Sequence, residues 1–141
     1  MQQALTELTV ATPGRSMVDI SSEIAGWLQA SGAETGLLTL FIRHTSASLT
    51  IQENVDPDVQ ADLLDAFDRL APEHGPYRHS SEGPDDMPAH IKAALTSTSL
   101  SIPVSAGRMT LGTWQGIYII EHRARPHQRR VVAQFMGELK G

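Results

Sequence analysis

An α+β fold in a single domain, residues 1–141, with mainly antiparallel, sandwich-like sheets and about three helices, is predicted by three observations. Apolar stretches with strand character dominate both ends of the chain, stretches of helical spacing are gathered mainly in its middle, and no internal repeat or linker divides it. A chain of 141 residues is long enough to bury a core of its own.

Each element follows from local pattern. "ALTELTV" alternates apolar and polar residues and reads as a half-buried strand. In "DISSEIAGWLQASG", Ile20, Ile24, Trp27 and Leu28 recur at helical spacing, Asp19 or Ser21 can cap the front, and Gly32 suits the stop. "TGLLTLFIRH" is a strand with Leu38, Leu40 and Ile42 on one face, and His44 continues that face. In "SASLTIQE" the apolar residues Ala47, Leu49 and Ile51 shift to odd positions. One unbroken strand cannot bury both sets, so a bulge, a turn or a passage to a second sheet is expected near His44-Thr45-Ser46. "DPDVQADLLDAFDRLAP" is the clearest helix, with Asp56 as cap, Pro57 at the first position and Val59, Leu63, Phe67 and Leu70 as the buried stripe. The next 17 residues, "PEHGPYRHSSEGPDDMP", fit no element. "PAHIKAALTS" is a short helix whose apolar side is Ile91 and Leu95. "LSIPV", "GRMTLGTWQGIYIIEHR" and "RRVVAQFM" complete the chain as strands, and "QGIYIIEHR", apolar on both faces in its middle, reads as a central one.

Composition narrows the chemistry. The chain has no cysteine, which excludes disulfides, thiol nucleophiles and zinc–thiolate sites and leaves His, Asp and Glu as metal ligands. "MQQALTELTV" lacks the basic and apolar regions of a signal peptide, and no apolar run approaches the ~18 residues of a membrane helix. A cytoplasmic protein without membrane association is expected. The net charge of −5 hides an asymmetry: residues 53–86 hold ten acids against Arg69 and Arg78, while residues 99–141 are mainly basic. Such regions form complementary surfaces within or between chains, or are solvated faces.

Six histidines are many for this length. His44 ends an apolar face at the phase break, His79 lies in the irregular stretch, and His90 sits on a helix beside its apolar side. Three histidines from separate elements suit a metal with an open position, zinc first and magnesium second, with Glu53 or Glu121 to orient a ligand or water. Asp56 and Asp58 stand close to the His44 turn in sequence. "HRARPHQRR" offers forks for a phosphorylated small molecule, or a salt network with the acidic helix. Nucleic acid is disfavoured by the acidic balance and the lack of an aromatic platform. Neither a G-x-S-x-G elbow nor a phosphate-binding glycine motif is present.

"HTSASLTIQENVDPDV", "HSSEGPDDMPAHIKAAL" and "SLSIPVSAGRMTLGTWQGIYIIEHR", with the arginine cluster, resemble the YjbQ-like family, also named the secondary thiamine-phosphate synthase family, over roughly residues 37–136. The resemblance implies an α+β subunit of a homotrimer with a histidine-rich pocket able to hold a divalent metal. It also implies, from activity credited to some members, a weak thiamine-phosphate synthase activity, joining a pyrimidine methyl diphosphate to a thiazole phosphate with release of pyrophosphate. The family's histidines fall on His44, His79 and His90. Its polar set falls on Thr45, Ser46, Glu53, Asn54, Asp56, Asp58 and Asp62, of which Glu53, Asp56, Asp58 and Ser46 are the candidate catalytic groups. Its basic end falls on Arg123, Arg129 and Arg130, the candidate phosphate ligands. Two positions depart from the pattern: Ser97 stands where glycine is expected, and Asp86 where many relatives have asparagine. Two alternatives stand beside the synthase: a metal-dependent hydrolase of a small phosphorylated substrate, and a non-catalytic trimer that binds metal or a small molecule.

Overall fold

The phase slip in the first half of the chain marks a passage between two sheets. The structure, a computed structural model, describes residues 1–141. In chain order it comprises β1 (Gln2–Thr12), β2 (Ser16–Asp19), α1 (Ser21–Ser31), β3 (Ala33–Ile42), β4 (Ala47–Glu53), α2 (Pro57–Leu70), α3 (Asp86–Leu95), β5 (Ser99–Ser105), β6 (Arg108–Met109), β7 (Gln115–Glu121) and β8 (His127–Leu139). A five-stranded sheet runs β1-β8-β3-β5-β6 and a three-stranded sheet runs β2-β7-β4, every pairing antiparallel. The α+β class and the three helices expected from the sequence are present. β2 is an addition, too short to show in the apolar pattern.

β3 belongs to the five-stranded sheet and β4 to the three-stranded one, and residues 43–46 carry the chain across. Leu38, Leu40 and Ile42 therefore meet Ala47 and Leu49 across one core, although their numbers differ in parity. Ile102, Val104, Val131, Ala133 and Phe135 join from the larger sheet, Ile117 and Ile119 from β7, and Ile20, Ile24 and Leu28 from the α1 segment. Gly32 ends α1 in the left-handed region (φ 78°), the conformation glycine adopts without a Cβ penalty. β7 is central to its sheet and buried from Gly116 to Glu121, as its two-sided apolar pattern requires.

The second face of the three-stranded sheet carries α2 and α3, and here packing departs from the apolar pattern. No residue of α2 is fully buried, and Leu70 is exposed. Its half-buried stripe is supplemented by polar contacts: Phe67 meets the His122 ring edge-on at 6.1 Å between centroids, and Gln60 donates to the Tyr118 hydroxyl at 3.2 Å. On α3 the buried face is Asp86, Ala89, Lys92 and Ala93, while Leu95 projects into solvent. The rotation has a physical cause, because the surface beneath α3 is polar. His122 and Ser48 share a hydrogen bond of 2.9 Å and Thr96 donates to Ser48 at 2.6 Å. Lys92, 2% exposed, reaches across to Asp68 of α2 at 2.6 Å.

Two consequences are measurable. Asp68→Ala strands the Lys92 ammonium without its partner; because Asp68 is 45% exposed and water screens the pair, a loss of about 1–3 kcal/mol is expected by urea unfolding. Lys92→Met keeps the volume without the charge and is expected to stay within about 1 kcal/mol of wild type. The second consequence concerns pH. Burial, reinforced by the charge of Lys92, lowers the His122 pKa from 6.5 to about 4. The unfolded chain takes up that proton first, so it binds more protons in this interval and stability falls as pH drops from about 6.5 to about 4. The His122 ring resonances should titrate near 4 and the urea midpoint should decline over the same interval; a His122 that titrates near 6.5 contradicts the packing.

Candidate metal centre

Asp86 and His90 stand one turn apart at the start of α3, on the side facing the irregular stretch that precedes it. That stretch brings His79 back against them. The Nε2 atom of His79 lies 2.6 Å from Asp86 Oδ2 and the Nε2 atom of His90 lies 3.0 Å from the same oxygen. One donor atom from each of the three residues falls within 4.8 Å of the others. Asp86 is buried, while the imidazoles remain 40% and 32% exposed, so the cluster has a protected carboxylate and an open outer side. A cleft of about 410 Å³, lined by His74, Gly75, Tyr77, His79, Ser80, Gly83 and Pro84, adjoins it.

The proton count at His90 narrows what the cluster holds. Its Nδ1 lies 2.9 Å from the Thr45 carbonyl, an acceptor, so that nitrogen carries a hydrogen. Its Nε2 faces a second acceptor, Asp86 Oδ2. A neutral imidazole has only one N–H, so the second contact requires a positive species: either an imidazolium or a cation held between nitrogen and carboxylate. An imidazole fixed by a backbone carbonyl on one nitrogen, with the other free for an ion, is the usual arrangement around ligating histidine. The donor set of two imidazoles and one carboxylate fits zinc or a similar divalent ion with a position left open.

Arg123, just beyond β7, sets the electrostatics. Its Nη1 donates to Asp86 Oδ1 at 2.7 Å, its Nε to Asp85 Oδ2 at 2.9 Å and its Nη2 to the Glu82 carbonyl at 3.0 Å. Burial opposes ionisation of Asp86, but the bond from His79, the His90 ring and the Arg123 charge outweigh it and hold the carboxyl below the usual range. Asp85 shifts the same way: burial is again opposed and overcome by the bonds from Arg123 and the Ala124 amide. The acidic and basic halves of the sequence meet at this point within one chain.

The other expected site residues lie elsewhere. His44 does not join His79 and His90: its Nε2 accepts the Arg130 backbone N–H at 2.8 Å, and Nδ1 faces the Arg129 guanidinium at 3.4 Å. Burial and the Arg129 charge lower its pKa, so it stays neutral. What the crossover gives the cluster is the Thr45 carbonyl, not the His44 ring. Ser46 accepts from Arg129 at 3.0 Å through its hydroxyl. Glu53 ends β4, about 20 Å along the strand from Ala47 at its start, and Asp56 and Asp58 follow it at the start of α2. Glu53 Oε2 accepts from the Val55 and Asp56 amides at 3.1 and 2.8 Å, and Asp56 caps α2 by accepting from the Asp58 amide at 2.9 Å. These acids close a helix start and form no wall of the histidine site within one chain. Two of the three phosphate candidates are also committed. Arg123 is bound to Asp85 and Asp86, and Arg129, buried, makes a two-pronged pair with Glu121 at 2.7 and 2.5 Å; only Arg130 stays exposed. The residue missed by sequence reasoning is Asp86. The signal was there in "DMPAH", which sets a carboxylate and an imidazole four apart on one helix.

A family model described as "UPF0047 protein YjbQ-like" matches residues 6–138. The chain is 57% identical over 133 residues to UPF0047 protein sll1880 of a Synechocystis strain, covering 94% of this chain and 90% of that protein. It is 45% identical over 132 residues to UPF0047 protein YjbQ of Escherichia coli O157:H7, covering 93% and 96%. Among solved structures, a YjbQ/UPF0047-family protein of Clostridium acetobutylicum superposes with a TM-score of 0.87 at 37% identity, covering 93% of this chain and 99% of that one. The hypothetical protein APE1520 of Aeropyrum pernix K1 gives 0.88 at 29%, covering 96% and 99%. In sequence over nearly its whole length and in fold, the chain belongs to the YjbQ-like UPF0047 family.

Proposed function

We propose that the chain is a divalent-metal enzyme, zinc being the ion its donors suit best, with His79, Asp86 and His90 as the metal ligands. The observation that carries this reading is the His90 ring, whose two nitrogens both face oxygen acceptors. When bound, such an ion supplies a Lewis acid and lowers the pKa of water in its open position. The chain's own residues hold that chemistry in place. Thr45 fixes the His90 ring, Asp86 offers a buried negative charge, and the cleft beside His79 has room for a small molecule.

Hydrolysis of a small phosphorylated substrate is the reaction class we favour. The thiamine-phosphate synthase-like transfer shares the metal but has a departing diphosphate to stabilise. Two of the three arginines assigned to that task are instead paired with carboxylates. Hydrolysis at an open metal position does not depend on them.

The homotrimer implied by the resemblance is also part of the proposal. The outer face of the five-stranded sheet exposes Leu5, Leu37, Phe41 and Met136, each at least 44% accessible, with Leu37 and Met136 directly opposed across β3 and β8. Gln134 and Thr39 stand between that pair and Phe41, so the face is apolar in patches, which suits self-association through a mixed interface.

Protein stripped of metal and titrated with Zn²⁺ is expected to bind one ion per chain. Asp86→Ala and His90→Ala should bind less than a tenth as tightly, as expected for loss of a ligand. His44→Ala should bind normally, whereas a three-histidine site requires it to fail. The loaded protein should release phosphate from a panel of small phosphate esters and diphosphates. Turnover only with the two thiamine precursors would instead establish the synthase reading, and no turnover with either would leave a binding protein. Sedimentation velocity should show a trimer that Phe41→Glu dissociates, and a monomeric wild type contradicts the assembly.

A further inference from the structure

Resting on the metal-centre reading, we infer that Arg123 is a positioning residue that makes Asp86 offer one oxygen, and only one, to the ion. The two carboxylate oxygens of Asp86 are divided between partners. Oδ2 faces both imidazoles, at 2.6 and 3.0 Å, while Oδ1 is held by Arg123 Nη1 at 2.7 Å. A carboxylate without that second partner can turn both oxygens to a cation and fill the position a substrate or water needs. The guanidinium prevents this because its own freedom is gone. Asp85 Oδ2 accepts from its Nε, and the Glu82 carbonyl and, more distantly, Asp85 Oδ1 accept from its Nη2, so with Asp86 Oδ1 the planar fork meets four oxygens in fixed directions. Asp85 is in turn anchored by the Ala124 amide at 2.9 Å.

Nothing else in the cluster can do this. Lys92, the other cation on α3, is tied to Asp68 on the opposite side, and Arg129 is paired with Glu121. The arrangement also explains an acidic pair, Asp85-Asp86, whose members serve different partners: Asp86 faces the imidazoles and Asp85 holds the arginine that holds Asp86. Arg123 thus determines how many coordination positions remain open, which is the property separating a structural ion site from a catalytic one.

The test uses Co²⁺, whose visible absorption reports coordination number, in the full-length protein. Wild type is expected to show the strong absorption of a low-coordinate site. Arg123→Gln should show the weaker absorption of a site with an added oxygen, and an altered Co²⁺ affinity of about 10-fold or more. Circular dichroism checks that the variant is folded. If it is not, Asp85→Asn, which loosens Arg123 without touching Asp86, should move the spectrum in the same direction by a smaller amount. A loaded wild type whose spectrum and affinity are matched by the folded variant overturns the role of Arg123 alone. A wild type that takes up no Co²⁺ contradicts the metal centre itself.

Discussion

The carboxylate of Asp86 is the group on which the site depends. It is buried, it stays charged, and its neighbours come from three parts of the chain: His79 from the irregular stretch, His90 from α3 and Arg123 from the end of β7. A buried charge without such partners is strongly unfavourable, so the contacts that keep Asp86 ionised also decide where the stretch from residue 72 to 85 folds back. Asp85 extends the same logic by one residue. The loop has no regular hydrogen-bond pattern, and it is these charge-assisted bonds that give its end a defined path.

A second constraint is the crossover between sheets. Four residues, 43–46, must leave one sheet and enter the other while keeping their backbone groups paired. Arg43 donates its amide to the Arg130 carbonyl, Ser46 accepts from the His122 amide and Thr45 accepts from His90. The buried Glu121–Arg129 pair, joined by Thr12 at 2.6 Å, closes the polar end of the core beneath this crossover. His44 belongs to that closure, which is why it ends an apolar face and yet stays apart from the other two histidines.

Much of this was legible in the sequence. Period-two and helical spacing gave the class and the helices, and the parity change between Ile42 and Ala47 located the crossover to within a few residues. The polar density around "IRHTSASLT" coincides with the crossover, which brings the Thr45 carbonyl to His90. The direction of side chains across it was not legible, because spacing along a strand does not say which of two sheets a turn residue faces. Glu53, Asp56 and Asp58 looked catalytic because acids before a helix serve equally as caps. The apolar sides expected for α2 and α3 were only partly found, because Leu70 and Leu95 face outward while Lys92 is buried through its pair with Asp68. Asp86 is absent from the expected set because three histidines already supply the ligands there and Glu53 or Glu121 the supporting carboxylate, although its spacing to His90 places the two together.

The central claim is that a cation sits between His90 and Asp86. Anomalous diffraction at the zinc edge from crystals of zinc-loaded protein tests it most directly. The account requires one peak per chain about 2.0–2.2 Å from His79 Nε2, Asp86 Oδ2 and His90 Nε2. An empty cluster at full zinc loading, with His90 as an imidazolium bonded to Asp86 and Thr45, would contradict it.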